Sequence, residues 1–344
     1  MVSIKDIAGR ANVSIGTVDR VMHNRGRVSD ETKARVLRIV AELGYRPNIY
    51  ARNLSLDRVF HFDVLMPRLS QDSGYWRIPA NGIERAAREL QNHRIRLQYF
   101  FYDRYSERSF EGAFRKALAG NPDGLLIAPV LQNVAARNLP DVPKKIPYVF
   151  FDSTIPGVDH LSAIGQDSYQ SGLLAANLML TVMHEGGMVA VVRVNPSDFH
   201  IEERLRGFLT RMEDNPVITH RVYDVDSHRG EEAFSAAAKR ILKENPDIKG
   251  IFVSNAWTHP IARYIHARTK GKNVCIVGYD LVPKNCRCVK SGLISFLISQ
   301  RPEMQGYEGI YSLYEHVVLR EKVKSKIMVP IDILTRDNLR YYLD

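Results

Sequence analysis

Ser3-Ile4-Lys5-Asp6-Ile7-Ala8, then Asn12-Val13-Ser14-Ile15-Gly16-Thr17-Val18-Asp19-Arg20-Val21, then Gly44-Tyr45-Arg46-Pro47-Asn48 set the reading of this 344-residue chain. Ser3 with Asp6 three residues on is an N-cap with an acidic partner, and Ile4, Ile7 and Ala8 fall on one helical face. Ala11-Asn12-Val13 makes a turn, Ser14 caps a second helix, and Val18 and Val21 recur at i, i+3 to pack against the first. That spacing leaves Ile15, Gly16, Thr17, Asp19 and Arg20 outward. Ser29 caps a third helix with Asp30 and Glu31 in its first turn, a stripe of Val36, Ile39, Val40 and Leu43, and Gly44 at its C′ position. Three short helices that present one N-terminal edge suit the major groove of DNA.

Charge agrees with this. Residues 1–58 hold 11 Lys and Arg against 6 Asp and Glu, and the other 286 hold 37 against 32, so half of the net +10 sits in one-sixth of the chain. A basic head that neutralises phosphates binds DNA with a steep salt dependence, although a solvated basic surface would give the same count.

These words and their spacing resemble the lac repressor/galactose repressor family, and the resemblance extends over most of the chain, specific in the first 55 residues and weaker beyond. It implies that Ile15, Gly16 and Arg20 read bases, that Thr17 touches base or backbone, and that Ser14, Asn24 and Arg27 lie at further DNA contacts. Arg20 is the residue suited to a bidentate contact with guanine. Gly16 departs from the family by offering no side chain, and Asp19 stands where a small residue is usual. Asp19 either accepts from cytosine N4 or pairs with a neighbouring Arg and holds it. The resemblance further implies a hinge segment over 47–58 from which Leu54 wedges into the minor groove, bending the duplex; the alternative for Leu54 is the start of the next core.

The remaining residues alternate strand-like and helix-like runs, the rhythm of parallel α/β structure. Strands read at Phe62–Met66, Ile95–Phe101, Gly124–Ala128, Tyr148–Phe151, Met188–Val192, His220–Val225, Gly250–Val253 and Val274–Gly278 are short and apolar, as strands buried on both faces should be. Stripes such as Ile83, Ala86, Ala87, Leu90 and Ala233, Ala236, Ala237, Ile241 supply the crossover helices. The fold class expected is an all-α helix-turn-helix head plus a two-lobed body of doubly wound parallel sheets, which resembles periplasmic sugar-binding proteins. The expected divisions are a head at 1–46, a hinge at 47–58 and a body at 59–344. Within the body the N-lobe takes 59–164 and 297–323, and the C-lobe 165–296 and 324–344.

In such a fold the ligand lies between lobes at the carboxyl ends of strands. The resemblance nominates Tyr75 and Trp76 as stacking aromatics, with burial under the first helix as their alternative, and Asp152, Arg204, Asn255, Asp280 and Gln300 as polar partners of sugar hydroxyls. Trp257 either closes the cleft or belongs to the core. Arg204 satisfies an acidic sugar or a hydroxyl equally. Asp167 reads as a helix cap.

Other classes lack support in the sequence. No run approaches the about 20 apolar residues of a membrane span and the start has no signal-peptide core, so a cytoplasmic, nucleoid-associated protein is expected. Cys275, Cys286 and Cys288 read as reduced structural thiols, and neither a metal nor a cofactor is implied. No nucleophile elbow, zinc-protease helix or nucleotide loop is present, so an enzyme is not expected, and a transport protein would have no use for the head. The partners expected are pseudo-palindromic double-stranded operator DNA, a sugar effector and a second copy of the chain, with the first N-lobe helix and Tyr307–Val318 as the pairing faces. With no heptad tail, a coiled-coil tetramer is not expected. The function expected is a transcriptional repressor of carbohydrate genes whose operator affinity is set by a sugar.

Overall fold

The computed structural model describes residues 3–22, 26–43, 58–196, 198–269 and 273–343. The expectations for Asn24, Gly44, the 47–57 hinge and Leu54 lie outside these residues. The chain divides into two compact units, Met1–Asp57 and Arg58–Asp344.

In the first unit, helices α1 (Ile4–Ala11), α2 (Ile15–Met22) and α3 (Asp30–Glu42) form as their caps require. Ser3 and Asp6 make a reciprocal capping box: the Ser3 hydroxyl accepts from the Asp6 N–H at 3.3 Å and Asp6 Oδ2 accepts from the Ser3 N–H at 2.8 Å. Asn12 turns the chain in the left-handed region (φ 51°), where Asn is tolerated. Ile7, Ala8, Ala11, Val18, Val21, Val36 and Ile39 close a small core.

The second unit holds two sheets of six strands. The first has β1 (Phe60–Pro67), β2 (Ile95–Tyr102), β3 (Gly124–Ile127), β4 (Tyr148–Phe151), β5 (Ser162–Gly165) and β11 (Lys326–Met328) in the order β11-β5-β4-β3-β1-β2, parallel throughout. The second has β6 (Gly187–Asn195), β7 (Ile218–Asp226), β8 (Gly250–Val253), β9 (Cys275–Tyr279), β10 (Phe296–Ser299) and β12 (Asp332–Leu334) in the order β12-β10-β9-β8-β6-β7. Only β12 within this sheet runs antiparallel to its neighbour. Each lobe therefore repeats one doubly wound plan, with a switch point beside its first strand.

Helices α4 (Arg77–Glu89), α5 (Glu107–Ala119), α6 (Gln132–Asn138) and α12 (Pro302–Tyr314) cover the first sheet. Helices α7 (Ser168–Val182), α8 (Phe199–Glu213), α9 (Glu231–Glu244), α10 (Thr258–Thr269) and α11 (Pro283–Lys290) cover the second. Asp167 caps α7 by accepting from the Gln170 N–H at 2.9 Å. The stripe of α9 differs from expectation: Phe234, Ala238 and Ile241 are buried while Ala236 is exposed, because the large aromatic wins the inward face. Cys275, Cys286 and Cys288 are buried free thiols, with burial pushing those of Cys275 and Cys286 up to about 11.

Strand pairing corrects the expected lobe limits in three places. Leu297–Ser299 belong to β10, which pairs with β9 and β12 in the C-lobe; Lys326–Met328 pair with β5 in the N-lobe; and Gly165, expected to open the C-lobe, ends β5. The chain crosses between lobes at 166–167, 300–301 and 329–331. Gln166 laces these crossings together: its Nε2 donates to the Ser299 carbonyl at 3.0 Å and the Pro330 carbonyl at 3.3 Å. Arg301 adds a two-pronged pair to Asp332, at 2.6 and 2.9 Å.

Glycines let helix backbones touch in both lobes. A Cβ on Gly172 of α7 would lie 2.1 Å from the Arg204 carbonyl of α8, and one on Gly207 of α8 would lie 2.1 Å from the Tyr169 carbonyl of α7. Gly82 of α4 and Gly306 of α12 make the same close approach in the N-lobe. Gly172→Val is expected to force α8 off α7 and to lower the melting temperature by roughly 5–10 °C in a thermal-shift scan; an unchanged melting temperature would show that the packing can relax.

Candidate DNA-reading surface and interlobe cleft

The edge of α2 is built as its sequence dictates. Ser14 caps the helix, its Oγ accepting from the Thr17 N–H at 3.1 Å and lying 2.9 Å from Thr17 Oγ1. Val18 and Val21 are buried, which turns Ile15 (49% exposed), Gly16, Asp19 and Arg20 to solvent, with Thr17 half-buried beside them. An isoleucine that exposed gains nothing from the fold and suits contact with base methyls. Arg20 runs back along the helix, its Nε donating to the Gly16 carbonyl at 3.1 Å; Arg27 is exposed on the following turn.

In the second unit, carboxyl ends of strands from both lobes converge on one polar cleft. Tyr75, Trp76, Asp152, Arg204, Asn255, Asp280 and Gln300 all line it. Trp257 does not: its ring stacks on Phe234 at 5.5 Å in the C-lobe core, the second of the two alternatives read for it. Trp76 has a mixed place, lining the cleft yet 1% exposed at the start of α4, its Nε1 donating to Asp72 Oδ2 at 2.8 Å.

Asp152 and Asp280 occupy equivalent sites, one just beyond β4 and one just beyond β9. Both have φ 69°, a left-handed conformation that aspartate tolerates and β-branched residues resist. Tyr75 donates its hydroxyl hydrogen to Asp152. Gln300 then joins the two sides. Its Nε2 donates to Tyr75 Oη at 2.9 Å and Asp280 Oδ1 at 3.1 Å, while its Oε1 accepts from Arg204 Nη2 at 2.7 Å. Arg204, 1% exposed, also donates to the Ser254 carbonyl at 3.1 Å and lies over the Tyr279 ring at 4.1 Å.

The sequence reading missed Asp72, Arg104, Asp198 and His200, which complete the wall. Arg104 pairs with Asp72 at 2.5 Å in its own lobe and reaches Asp198 of the other at 3.6 Å. His200 Nδ1 lies 2.8 Å from Asp198 and 3.9 Å from Asp152. All four follow strands β1, β2 and β6, so the strand-end rule applied to every strand would have found them. Asn285, fully buried, was missed as well; its amide nitrogen lies within 3.1 Å of the Ala256, Tyr279 and Asp280 carbonyls and fixes two loops of the wall.

Four carboxylates thus share the cleft with two guanidiniums and one imidazole. Burial pushes the Asp280 carboxyl up to about 6, against the pull of Arg204, and burial likewise raises Asp152. Asp198 experiences burial most strongly, yet His200, Arg104 and Arg204 together hold it below the usual carboxylate range. Asp72 Oδ1, Arg104 Nε, Asp152 Oδ2, Arg204 Nε and Asn255 Nδ2 are buried with no hydrogen-bond partner among the described residues. Such atoms cost free energy unless a polar ligand or water meets them, and they offer both acceptors and donors.

The raised Asp280 has a stability consequence. Between its ordinary 3.8 and about 6 the folded chain binds this proton more tightly than the unfolded chain does, so folding stability falls as pH rises through that window. Asp63, also pushed up to about 6 by burial, contributes with the same sign. Asp280→Asn keeps the left-handed backbone and removes its share, so the fall in melting temperature from about pH 4 to about pH 7 should be smaller than in the parent. An identical slope in the variant would contradict this assignment.

The comparisons with known proteins agree with this geometry. Residues 62–321 match the periplasmic binding protein domain, and residues 3–48 match the bacterial regulatory proteins of the lacI family. The chain is 27% identical to the ribose operon repressor of Bacillus subtilis over 353 aligned positions, covering 99% of each protein. Among solved structures, one described as a LacI transcriptional regulator from Bacteroides fragilis matches with a TM-score of 0.74 at 27% identity, over 83% of this chain and 100% of that one. GanP, a glucose-galactose binding protein from Geobacillus stearothermophilus, matches with a TM-score of 0.72 at 23% identity, over 82% of this chain and 99% of its own, which speaks for the fold alone. An exposed α2 edge on a three-helix head and, in the second unit, two lobes around a buried polar cleft agree with these two matches: the chain belongs to the periplasmic binding protein domain family, and its head matches the bacterial regulatory proteins of the lacI family.

Proposed function

We propose that this chain is a sequence-specific transcriptional regulator, a repressor of carbohydrate-utilisation genes, whose operator affinity is set by a sugar held between its lobes. The observation that carries the reading is the union in one chain of an outward α2 edge with a buried cleft whose unpartnered atoms include both donors and acceptors. A transport protein accounts for the cleft but leaves the head without a role. An enzyme would need a nucleophile or acid–base pair placed for reaction, whereas the relatives carry the names of repressors.

In this reading Ile15, Gly16, Thr17 and Arg20 meet base edges, Ser14, Asp19, Asn24 and Arg27 support contact along the groove, and Leu54 wedges into the minor groove. Tyr75, Asp152, Arg204, Asn255, Asp280 and Gln300 hold the sugar, joined by Asp72, Arg104, Asp198 and His200. Carboxylates outnumber guanidiniums four to two in the wall, which favours a neutral hydroxylated ligand over an acidic one. Two copies of the chain read the two halves of a pseudo-palindrome. They pair through α4 and α12, where Tyr307 and Tyr311 stack at 4.6 Å and both donate to Glu89, at 2.6 and 2.9 Å. A protein with these partners works in the cytoplasm, on the nucleoid.

No helix among the described residues is long and apolar enough to cross a membrane. The sugar acts only through unequal affinity for two lobe arrangements. In fluorescence anisotropy with duplexes enriched from a random pool, the full chain should bind DNA and at least one sugar should shift that affinity. Arg20→Ala should weaken the enriched duplex by roughly 10- to 100-fold while leaving sugar binding unchanged. Turnover of a sugar without DNA binding would replace the regulator with an enzyme.

A further inference from the structure

A second cavity, of about 220 Å³, lies on the hinge side of the cleft and is walled by both lobes: Ser153, Thr154 and Met328 from the N-lobe side, Phe199 and Glu203 from α8, and Gln166 from the first crossing. Asp152 and His200 line this cavity and the central cleft alike, so the two spaces share a wall. The central cleft encloses only about 20 Å³, room for about one water, and admits a ligand only when the lobes part. The annex stands formed with the lobes in contact.

Its wall is built to bind. Ser153 Oγ and Gln166 Oε1 are buried without a hydrogen-bond partner among the described residues, in side chains 6% and 9% exposed. Gln166 has already spent its amide hydrogens on the Ser299 and Pro330 carbonyls, so its oxygen is left as an acceptor. Phe199 is half-buried at the mouth, an aromatic face suited to the C–H side of a sugar ring. Asp152, Asp167 and Glu203 outnumber Lys326 in the wall, which disfavours an anionic occupant. The volume is below the roughly 300–1,000 Å³ of a pocket for a whole drug-sized ligand and suits a single ring.

We infer that the effector is a neutral disaccharide or comparable glycoside, with one ring in the central cleft and the second in this annex, the linkage passing between Asp152 of the N-lobe and His200 of the C-lobe, 3.9 Å apart in this structure, as the lobes part to admit it. The inference rests on the reading of the central cleft as a sugar site. It explains why one side chain from each lobe faces two cavities at once: Asp152, just beyond β4, and His200, on α8, flank the bond between the rings rather than the end of a ligand.

Titration calorimetry of the full chain with matched pairs tests this: glucose against maltose, cellobiose and trehalose, galactose against lactose and melibiose, and xylose against xylobiose. At least one disaccharide should bind roughly tenfold or more tighter than its constituent monosaccharides. Phe199→Ala removes the aromatic face, and Met328→Trp fills the annex from an exposed position, 44% accessible, where folding is spared. Each variant should abolish most of the disaccharide's advantage while leaving monosaccharide affinity within about twofold. Monosaccharides binding as tightly as every disaccharide, or both variants leaving the disaccharide's advantage intact, would overturn the annex and leave the sugar site standing. Failure of every sugar of either length to bind would instead overturn the sugar site itself.

Discussion

The carboxamide of Gln300 is where the two lobes become one device. The residue follows a C-lobe strand and precedes an N-lobe helix, so its backbone is a crossing and its side chain is the centre of the cleft. Both of its polar atoms are used: the nitrogen on Tyr75 from the N-lobe and Asp280 from the C-lobe, the oxygen on Arg204. Its carbonyl accepts from Gln305 Nε2 at 2.7 Å, and Gln305 Oε1 accepts from the Asp152 N–H at 2.8 Å. A change in how the lobes meet must break or remake bonds to this one group, because its partners are divided between the lobes, Tyr75 in one and Asp280 and Arg204 in the other.

Such a buried network is high in stakes. Four carboxylates and two guanidiniums have been taken out of water, and the protein meets only part of their hydrogen-bonding capacity. The burial that raises Asp152 and Asp280 shows which groups bear that cost. A ligand that brings hydroxyls to Arg204 Nε, Asn255 Nδ2 and Asp152 Oδ2 stabilises the closed arrangement far more than an open one, and that difference is all that can travel to a distant site. Gln166 and the Arg301–Asp332 pair hold the three connecting segments together, which is the arrangement a common hinge between two rigid lobes requires.

The head was legible in the sequence because capping and 3.6-residue periodicity are local rules, and Ser3, Asp6, Val18, Val21 and Ile39 obey them without help from the rest of the chain. The eight strands read from the sequence were legible as apolar runs. Strands β5, β10, β11 and β12 were not: β11 and β12 have only three residues, β5 alternates buried and half-buried positions, and β10 follows a helix with no repeat of the earlier rhythm; hence Leu297–Ser299 and Lys326–Met328 were assigned to the wrong lobes. Seven of the eight nominated cleft residues arrive where strand ends put them. Trp257 does not, because Phe234, more than twenty residues earlier, offers a stacking partner that nothing near Trp257 announces. Asp72, Arg104, Asp198 and His200 were hidden in another way: an isolated charge in a loop reads as solvated until the fold buries it against its opposite.

The account stands or falls on Gln300 as the link between sugar and DNA. The direct measurement is the operator affinity of Gln300→Ala, with and without a saturating sugar that binds the parent chain. The account predicts that the variant still binds operator but that the sugar no longer changes its affinity. A sugar response as large in the variant as in the parent would place the coupling elsewhere.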